Sequence, residues 1–153
     1  MMVPLFYQEF DWATHDTNLT LGGMGELQWS AYLSPVVRIG LDLAGSFARS
    51  PNDRSLFLLP ITAKVTYVLG VSRFEFPFFF GAGINIVRYR EWSHVDLILK
   101  PGVGGYWRYN SNWSFGVNLV WWLDFQPNTS NQGKDQARMA DFLMISPGVL
   151  YNF

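Results

Sequence analysis

The chain contains no cysteine and few charges, since only 15% of its 153 residues are Asp, Glu, Lys or Arg. The absence of cysteine excludes a disulfide scaffold and a thiolate metal site. Ordinary soluble domains carry roughly a quarter charged residues, so this composition is unusual for one of them. Because 11 basic residues stand against 12 acidic ones, a nucleic-acid partner held by phosphate neutralisation has no electrostatic support, and we expect none.

Long apolar runs are absent as well. A transmembrane helix needs about 20 consecutive apolar residues, and the longest candidate, residues 74–87, is interrupted by Glu75, Pro77 and Gly81. Residues 1–10 also lack the basic start, apolar run and small-residue cleavage site of a secretory signal. We therefore expect no transmembrane helix, and either a protein that stays inside the cell or a chain that is mature or truncated.

Aromatic residues, in contrast, make up 18% of the chain, and 49% of it is apolar. This content excludes an intrinsically disordered chain. The sequence shows no linker, low-complexity segment or second domain, so residues 1–153 are expected to form a single domain.

Polar and apolar residues alternate along most of the chain, which is typical of β-strands with one wet and one dry face. In residues 113–125, for example, Trp113 and Phe115 alternate with Ser114 and Gly116. Seven segments follow this pattern: 22–33, 37–47, 57–69, 74–87, 97–109, 113–125 and 143–153. Their apolar positions hold no charge. Their polar positions hold Glu26, Arg38, Asp42, Lys64, Glu75, Lys100, Arg108 and Asp124. The pattern predicts seven strands, each with a polar and an apolar face.

The connections alternate in length. An eighth strand is expected over residues 2–10, where the alternation is weaker. Tight turns are expected near residues 34–35, 70–73 and 110–112, and long polar loops over 11–21, 48–55, 88–96 and 126–138. Short turns at one end and long loops at the other predict an all-β, antiparallel up-and-down sheet. Prolines within strands each remove a ladder hydrogen bond, so we expect β-bulges at Pro60, Pro77, Pro101 and Pro147.

The apolar positions are too bulky for the inside of a small barrel. Eight strands enclose only enough volume for filling side chains or one small ligand, but the apolar set includes Trp29, Trp107, Trp113 and Trp121. Strands of about 11 residues, tilted by about 45°, cross about 25 Å, which is the height of the apolar band on a membrane barrel. We therefore expect a transmembrane barrel with its apolar side chains in lipid, and a soluble β-sandwich is the alternative.

The C-terminal segment carries a family resemblance. It resembles the last strand of outer-membrane β-barrels, whose final aromatic residue is read by an assembly machinery, through Leu143, Ile145, Val149, Tyr151 and Phe153. The alternating loop lengths resemble small eight-stranded barrels of the OmpX, OmpW and OmpA-transmembrane type. The resemblance covers residues 22–153. It implies an eight-stranded transmembrane barrel in the outer membrane, with long extracellular loops and with short turns and both termini in the periplasm. A first strand that is weak or truncated departs from the family.

The resemblance also implies partners and interface residues. The partners would be the lipid bilayer of the outer membrane and its assembly machinery, and we expect a monomer. The aromatic side chains expected at the lipid interface or in the assembly signal are Trp107, Tyr109, Trp113, Tyr151 and Phe153.

Side chains on the polar face would line the lumen. The predicted lumen-lining residues are Glu26, Arg38, Asp42, Lys64, Lys100, Tyr106, Arg108, Asn118, Trp122 and Asp124. Buried charges are kept only when they are paired or hydrated, so one interpretation is an ion-pair network that fills a closed barrel. The other is a narrow polar path or binding cup, constricted by Phe79, Tyr106, Trp122, Phe142 and Met144. OmpW-like proteins are thought of as conduits for small hydrophobic molecules, so the resemblance implies such solutes.

Catalytic chemistry finds little support in the sequence. The candidate residues, all expected at the loop end of the barrel, are His15, Ser93, His94, Asp96, Asp124 and Asp141. A nucleophile and its base need hydrogen-bond reach, which residues in separate predicted loops do not show. No two metal ligands stand at positions i and i+2 of one predicted strand face. We therefore expect no enzymatic activity, no metal site and no cofactor.

Three hypotheses for function follow. The first is limited passage or binding of small solutes, hydrophobic ones included, through the narrow lumen. The second is a structural or surface-contact protein that acts as an adhesin through its extracellular loops, where Trp92 could anchor a partner. The third is a hydrolase at the outer rim.

Overall fold

The computed structural model describes residues 2–9, 14–15, 22–49, 55–89, 92–126 and 138–152. These residues form strands and turns, and none of their segments is a helix long and apolar enough to cross a membrane. The strands are β1 (Met2–Glu9), β2 (Thr14–His15), β3 (Gly23–Ser34), β4 (Val37–Arg49), β5 (Ser55–Val71), β6 (Phe74–Tyr89), β7 (Trp92–Arg108), β8 (Trp113–Gln126) and β9 (Arg138–Tyr151).

All strands belong to one antiparallel sheet. From β3 to β9 each strand pairs with the next along the chain, and these seven long up-and-down strands curl into a half-barrel. The short N-terminal strands extend the far edge, because β1 pairs with β9 and β2 pairs with β1. The predicted all-β, antiparallel up-and-down architecture is therefore confirmed.

Short turns connect the strands at one end of the sheet, which we call the turn end; the opposite end is the loop end. Ser34 Oγ accepts hydrogen bonds from the backbone N–H groups of Val36 and Val37. Asn110 Oδ1 accepts from the N–H groups of Asn112 and Trp113, at 2.9 and 2.8 Å. Such side-chain contacts replace backbone hydrogen bonds in tight turns, so the predicted turns 34–35 and 110–112 lie where the sequence places them.

The two faces of the sheet differ sharply in polarity. Along β4 to β9, side chains on the concave face are mostly buried and those on the outward face mostly exposed, and the two sets alternate. The edge strand β3 is exposed on both faces over residues 27–33. On β4, Leu41 is 59% exposed and points outward, while its neighbour Asp42 is 1% exposed. Trp29 is 77% exposed on the outward face of β3. The sheet therefore buries the polar positions and exposes the apolar ones, as the phase of the sequence alternation predicts.

Charge is almost excluded from the outward face. Among the strand side chains that the structure describes, the charged residues on this face are Arg88 and Asp141. Both lie near the loop end, because Arg88 pairs with Ser93 close to the end of β6 and Asp141 is near the start of β9. From Arg88 and Asp141 to the turn end, the described outward face is a continuous apolar band.

The predicted loop over residues 88–96 is wrong. β6 continues to Tyr89 and β7 begins at Trp92, and the two strands pair up to the match of Tyr89 with Trp92. The polar residues that suggested a loop, such as His94 and Asp96, lie on β7 with their side chains toward the concave face. Since that face carries many polar side chains, polarity does not distinguish its strand residues from a loop.

The bulges expected at the prolines are also wrong. Between β4 and β5 the ladder of paired residues stops at Leu43–Ile61 and resumes at Ser46–Leu58 in the same register, across Pro60. Similar interruptions without a register shift flank Pro77 and Pro101, and pairing runs through Pro147. The missing backbone N–H of each proline thus leaves at most a local gap in the hydrogen-bond ladder, without a change of register. The register shifts occur instead between Tyr32 and Ser34 and between Pro4 and Phe6.

Candidate functional site

The concave face holds a central charge cluster made of Glu26, Asp42, Lys64 and Lys100, one residue each from β3, β4, β5 and β7. Lys100 Nζ lies 2.6 Å from Asp42 Oδ2 and 3.7 Å from Glu26 Oε2. Lys64 Nζ lies 3.2 Å from Glu26 Oε1 and 3.6 Å from Asp42 Oδ2. Each cation therefore contacts both anions, and the formal charges of the cluster sum to zero.

The register of β6 makes room for this cluster. Gly81 pairs with Lys64 on one side and with Lys100 on the other. A Cβ atom at this position would lie 3.3 Å from Thr62 Oγ1 and 3.4 Å from Lys100 Cβ. Thr62 Oγ1 itself donates to Asp42 Oδ2 at 3.2 Å. A glycine between the two lysines lets their long side chains converge on the same carboxylates.

Aromatic rings complete the surroundings of both lysines. Lys64 Nζ lies 4.6 Å from the centroid of the Phe79 ring, and Lys100 Nζ lies 4.9 Å from that of Trp122. A cation over an aromatic face gains about 0.5–2 kcal/mol, more when desolvated. Lys100 is 1% exposed and Trp122 is fully buried. The two ammonium groups are therefore held by carboxylates and rings rather than by bulk water.

A turn-end charge cluster consists of Arg38, Glu75 and Arg108. Arg38 Nη2 donates to Glu75 Oε2 at 3.4 Å, and Arg108 Nε donates to Glu75 Oε1 at 3.1 Å. Arg108 Nη2 contacts the same oxygen. The Arg38 guanidinium also lies 4.3 Å from the centroid of the Tyr32 ring. One carboxylate is thus shared by two guanidinium groups, and the cluster carries a formal charge of +1.

Tyr106 also lies on the concave face, near the turn end. Its ring is 4% exposed, and Asn118 Nδ2 donates to its hydroxyl oxygen at 2.7 Å. A Cβ atom added at Gly116 would come within 2.6 Å of Tyr106 Cγ, and one at Gly148 would meet the Tyr106 hydroxyl. The two glycines leave the space that this ring fills, so Tyr106 narrows the interior of the sheet.

Apolar side chains fill much of the remaining interior. The buried cluster consists of Ala44, Ala48, Leu58, Phe79, Val87, Ile98, Val120, Trp122, Phe142 and Met144. It joins strands from β4 to β9 across the concave side. The arrangement favours a filled interior over a wide channel.

The third polar group, which we call the loop-end acidic group, consists of Asn85, Asp96 and Asp124 on β6, β7 and β8. Asn85 pairs directly with Asp96 in the register of β6 and β7, and Asp124 pairs with Ile98. Asn85 Nδ2 donates to Asp124 Oδ2 at 2.7 Å. His94 Nε2 lies 3.1 Å from Asp96 Oδ2. Each of the three residues is at most 5% exposed.

The predicted lumen-lining residues all lie on the concave face. Seven of them are buried: Arg38, Asp42, Lys64, Lys100, Tyr106, Trp122 and Asp124. Glu26 and Asn118 are half-buried, and the Arg108 side chain is 45% exposed at the turn end. Eight of the ten take part in the two charge clusters or in the Tyr106–Asn118 pair. These eight are Glu26, Arg38, Asp42, Lys64, Lys100, Tyr106, Arg108 and Asn118.

Four of the five predicted interface aromatics gather on the outward face at the turn end. The Trp113 and Tyr151 ring centroids lie 4.8 Å apart, and those of Trp107 and Tyr109 lie 5.7 Å apart. All four side chains are more than 40% exposed. Phe153, the predicted assembly signal, lies outside the described residues.

Sequence reasoning missed several site residues. Thr62, Asn85 and Asp96 were not assigned to the lumen, and Glu75 was placed on the polar face without a partner. Each occupies a concave position of its strand. Asn85 already occupies a polar position of the predicted segment 74–87, and extending the alternation of β7 to its actual start at Trp92 would have found Asp96. The partners of Glu75 depend on cross-strand contacts.

The residues considered for rim chemistry divide between the two faces. His94 and Asp96 stand at positions i and i+2 of one concave strand face and contact each other, so the expectation that no such ligand pair exists is wrong. Ser93 and Asp141 lie on the outward face, away from His94. His15 lies in β2, and neither its side chain nor that of Trp92 is among those described. In the described part of the chain, no three His, Cys, Asp or Glu side chains are grouped to hold a metal ion.

A model of an uncharacterised protein family matches residues 1–151. The chain is also 27% identical, over 172 aligned residues, to an uncharacterized protein of Borreliella burgdorferi, covering 98% of this chain and 78% of that protein. An uncharacterized protein of Treponema pallidum is 28% identical over 134 residues, covering 87% of this chain and 60% of that protein. This chain therefore spans less than two thirds of the second relative.

Proposed function

The chain belongs to the uncharacterised family whose model matches its residues 1–151, and we propose that it is an integral outer-membrane β-barrel. In this proposal its narrow lumen binds small solutes and lets them pass only to a limited extent.

The polarity of the sheet is the observation that carries the proposal. Leu27 and Trp29 are each more than 75% exposed, in an outward band whose described strand residues are uncharged. Exposing apolar surface to water costs roughly 25 cal/mol per Å², and contiguous apolar patches beyond a few hundred Å² mark interaction sites. An apolar band that follows every long strand is best matched by the hydrocarbon core of a bilayer.

The pairing of the N-terminal strand β1 with the last strand, β9, supports a closed, eight-stranded barrel. β1 pairs with β9, so strands that are far apart in sequence are neighbours in the sheet. Closure then requires only that the edge of β3 meet the N-terminal strands. A closed barrel also satisfies the backbone hydrogen bonds that an open edge would expose to lipid.

The aromatic cluster at the turn end supports an orientation of the barrel in which this end lies at a membrane–water interface. Trp107, Tyr109, Trp113 and Tyr151 project outward there, and aromatic residues with a polar atom are enriched at membrane–water interfaces. We place this end at the periplasmic interface of the membrane, as the resemblance to small outer-membrane barrels implies.

The filled interior supports limited passage rather than an open pore. The central charge cluster and the Tyr106 ring occupy the concave side, and their contacts would have to loosen before a solute could pass. Lys64→Ala and Asp42→Ala are therefore expected to increase solute flux, since each removes a side chain and the charge balance of the cluster.

The test is ion conductance of the refolded chain in a planar lipid bilayer. Folding is first checked by compact, heat-sensitive mobility on a gel. Small discrete conductance steps that increase in Lys64→Ala would support the proposal. Insertion without conductance in both proteins would contradict solute passage, and a protein that folds only outside lipid would contradict the membrane barrel itself.

A further inference from the structure

The loop-end acidic group has oxygen atoms without partners. Asn85 uses its Nδ2 on Asp124, and Asp96 uses its Oδ2 on His94. The Oδ1 atoms of Asn85, Asp96 and Asp124 are buried and have no hydrogen-bond partner among the described residues. Leaving one such oxygen unpaired costs about 1–3 kcal/mol, and more when it is charged. Three of them on neighbouring strands require an explanation.

Among the described residues, no Lys or Arg neutralises the charge of this group. The two carboxylates repel each other, and no Lys or Arg among the described side chains forms an ion pair with either one. His94 is the described group that could offset one charge, and only in its protonated form. The central charge cluster, by contrast, neutralises its own two carboxylates with two lysines.

We propose that Asn85, Asp96 and Asp124 bind a divalent cation that keeps part of its water shell. Carboxylate and amide oxygens are the ligands that Mg²⁺ and Ca²⁺ prefer, and Mg²⁺ usually retains several waters. The group holds three buried oxygens without partners, two of them on carboxylates, on three adjacent strands. Because its third ligand is an amide, it differs from the clusters of three titratable ligands that are absent from the described residues.

The position of the group fits binding from the loop end. Ile98 separates Asp96 from Lys100 along the concave face of β7, and Ile98 and Trp122 are both at least 99% buried. These side chains form an apolar floor between the site and the central charge cluster. The cation would therefore reach the site from the loop end, and the site does not depend on passage of solutes through the lumen.

The experiment is a calorimetric titration of the detergent-refolded full chain with MgCl₂, CaCl₂ or MnCl₂. One saturable site is expected, with a Kd on the order of 10⁻⁴–10⁻³ M for the best cation. In parallel, paramagnetic Mn²⁺ should broaden the backbone NMR signals of Asn85, Asp96 and Asp124 before those of Asp42. Absence of saturable binding for all three cations, or broadening centred elsewhere, would overturn the proposal.

Matched variants locate the site. Asp124→Asn removes one carboxylate charge at constant size and is expected to weaken binding about tenfold or more. Asn85→Leu removes the amide oxygen and should also weaken it. Asp141→Asn removes a carboxylate on the outward face of the neighbouring strand and should leave the Kd unchanged. Equal weakening by Asp141→Asn and Asp124→Asn would contradict the assignment.

The two proposals fail separately. Cation binding is measured on folded protein in detergent, so its absence would leave insertion and conductance in lipid unaffected. Conversely, a protein that binds Mn²⁺ at Asp124 but never inserts into lipid would overturn the membrane barrel and keep the cation site. Should Asp124→Asn fail to fold, the Mn²⁺ broadening pattern of the parent chain still decides the question.

Discussion

The central charge cluster and the loop-end acidic group both bury carboxylates, but they differ in whether Lys or Arg side chains contact them. In the first, Lys64 and Lys100 each contact Asp42 and Glu26, so every buried carboxylate has cationic partners within the chain. In the second, Asp96 and Asp124 each keep a buried oxygen without a partner. Asp42 Oδ1 in the first cluster is likewise without a hydrogen-bond partner, so the two groups differ in charge: the first is neutralised by its own two lysines, whereas no described Lys or Arg pairs with the carboxylates of the second.

The largest effect is expected from breaking the balanced cluster. Asp42→Asn leaves Glu26 as the remaining anion of the cluster for the buried Lys64 and Lys100, and removal of one partner of a buried ion pair destabilises a protein by about 3–5 kcal/mol. The free energy of unfolding, measured by urea titration of the refolded protein, should fall by this amount. Ser111→Ala in an exposed turn is the control, with an expected change within about 0.5 kcal/mol. A similar small change in Asp42→Asn would show that the cluster contributes little.

An intermediate effect is expected at the turn-end charge cluster. Glu75→Gln leaves two guanidinium groups close together, but Arg108 is 45% exposed and partly hydrated. Hydrogen bonds to charged groups contribute about 1.5–3 kcal/mol each, so we expect destabilisation of about that size. The same urea titration measures it. A loss larger than that of Asp42→Asn would contradict the ranking of the two clusters.

The smallest effect, and one of opposite sign, is expected at the loop-end acidic group. In buffer without divalent cations, Asp124→Asn removes one of two repelling carboxylates and should raise the free energy of unfolding by up to about 1 kcal/mol. With saturating Mg²⁺ the parent chain should become the more stable protein, because a ligand stabilises the state that binds it. Destabilisation by Asp124→Asn without any cation would mean that this carboxylate is already compensated.

The faces of the strands could be predicted from the sequence, and the reason is geometric. Since side chains alternate at a period of two, a slip of one residue would turn the whole apolar set inward. Lys64, Trp122 and Asp124 therefore had to share the concave face once the apolar positions faced outward. The aromatic cluster around Trp107 and Trp113 follows in the same way from its location beside one turn.

The partners of the site could not be predicted. The contacts of Lys100 with Asp42 and of Arg38 with Glu75 join strands that are not adjacent in the sheet, so they depend on how the sheet curls rather than on local alternation. The ends of β6 and β7 were missed because His94 and Asp96 are polar residues on a polar face. The prolines kept the register, since a gap in the ladder relieves the lost hydrogen bond without an added residue.

The inverted polarity of the sheet is the central claim, and substitution in the apolar band tests it most directly. The measurement is the free energy of unfolding in lipid vesicles for the parent chain, Leu41→Arg and, as a control in an exposed turn, Ser111→Arg. A cation at the bilayer midplane costs about 2–4 kcal/mol, so Leu41→Arg should lose that much stability or fail to insert, while Ser111→Arg should match the parent. Equal stability of all three proteins in lipid would contradict a membrane-facing Leu41 and the barrel built on it.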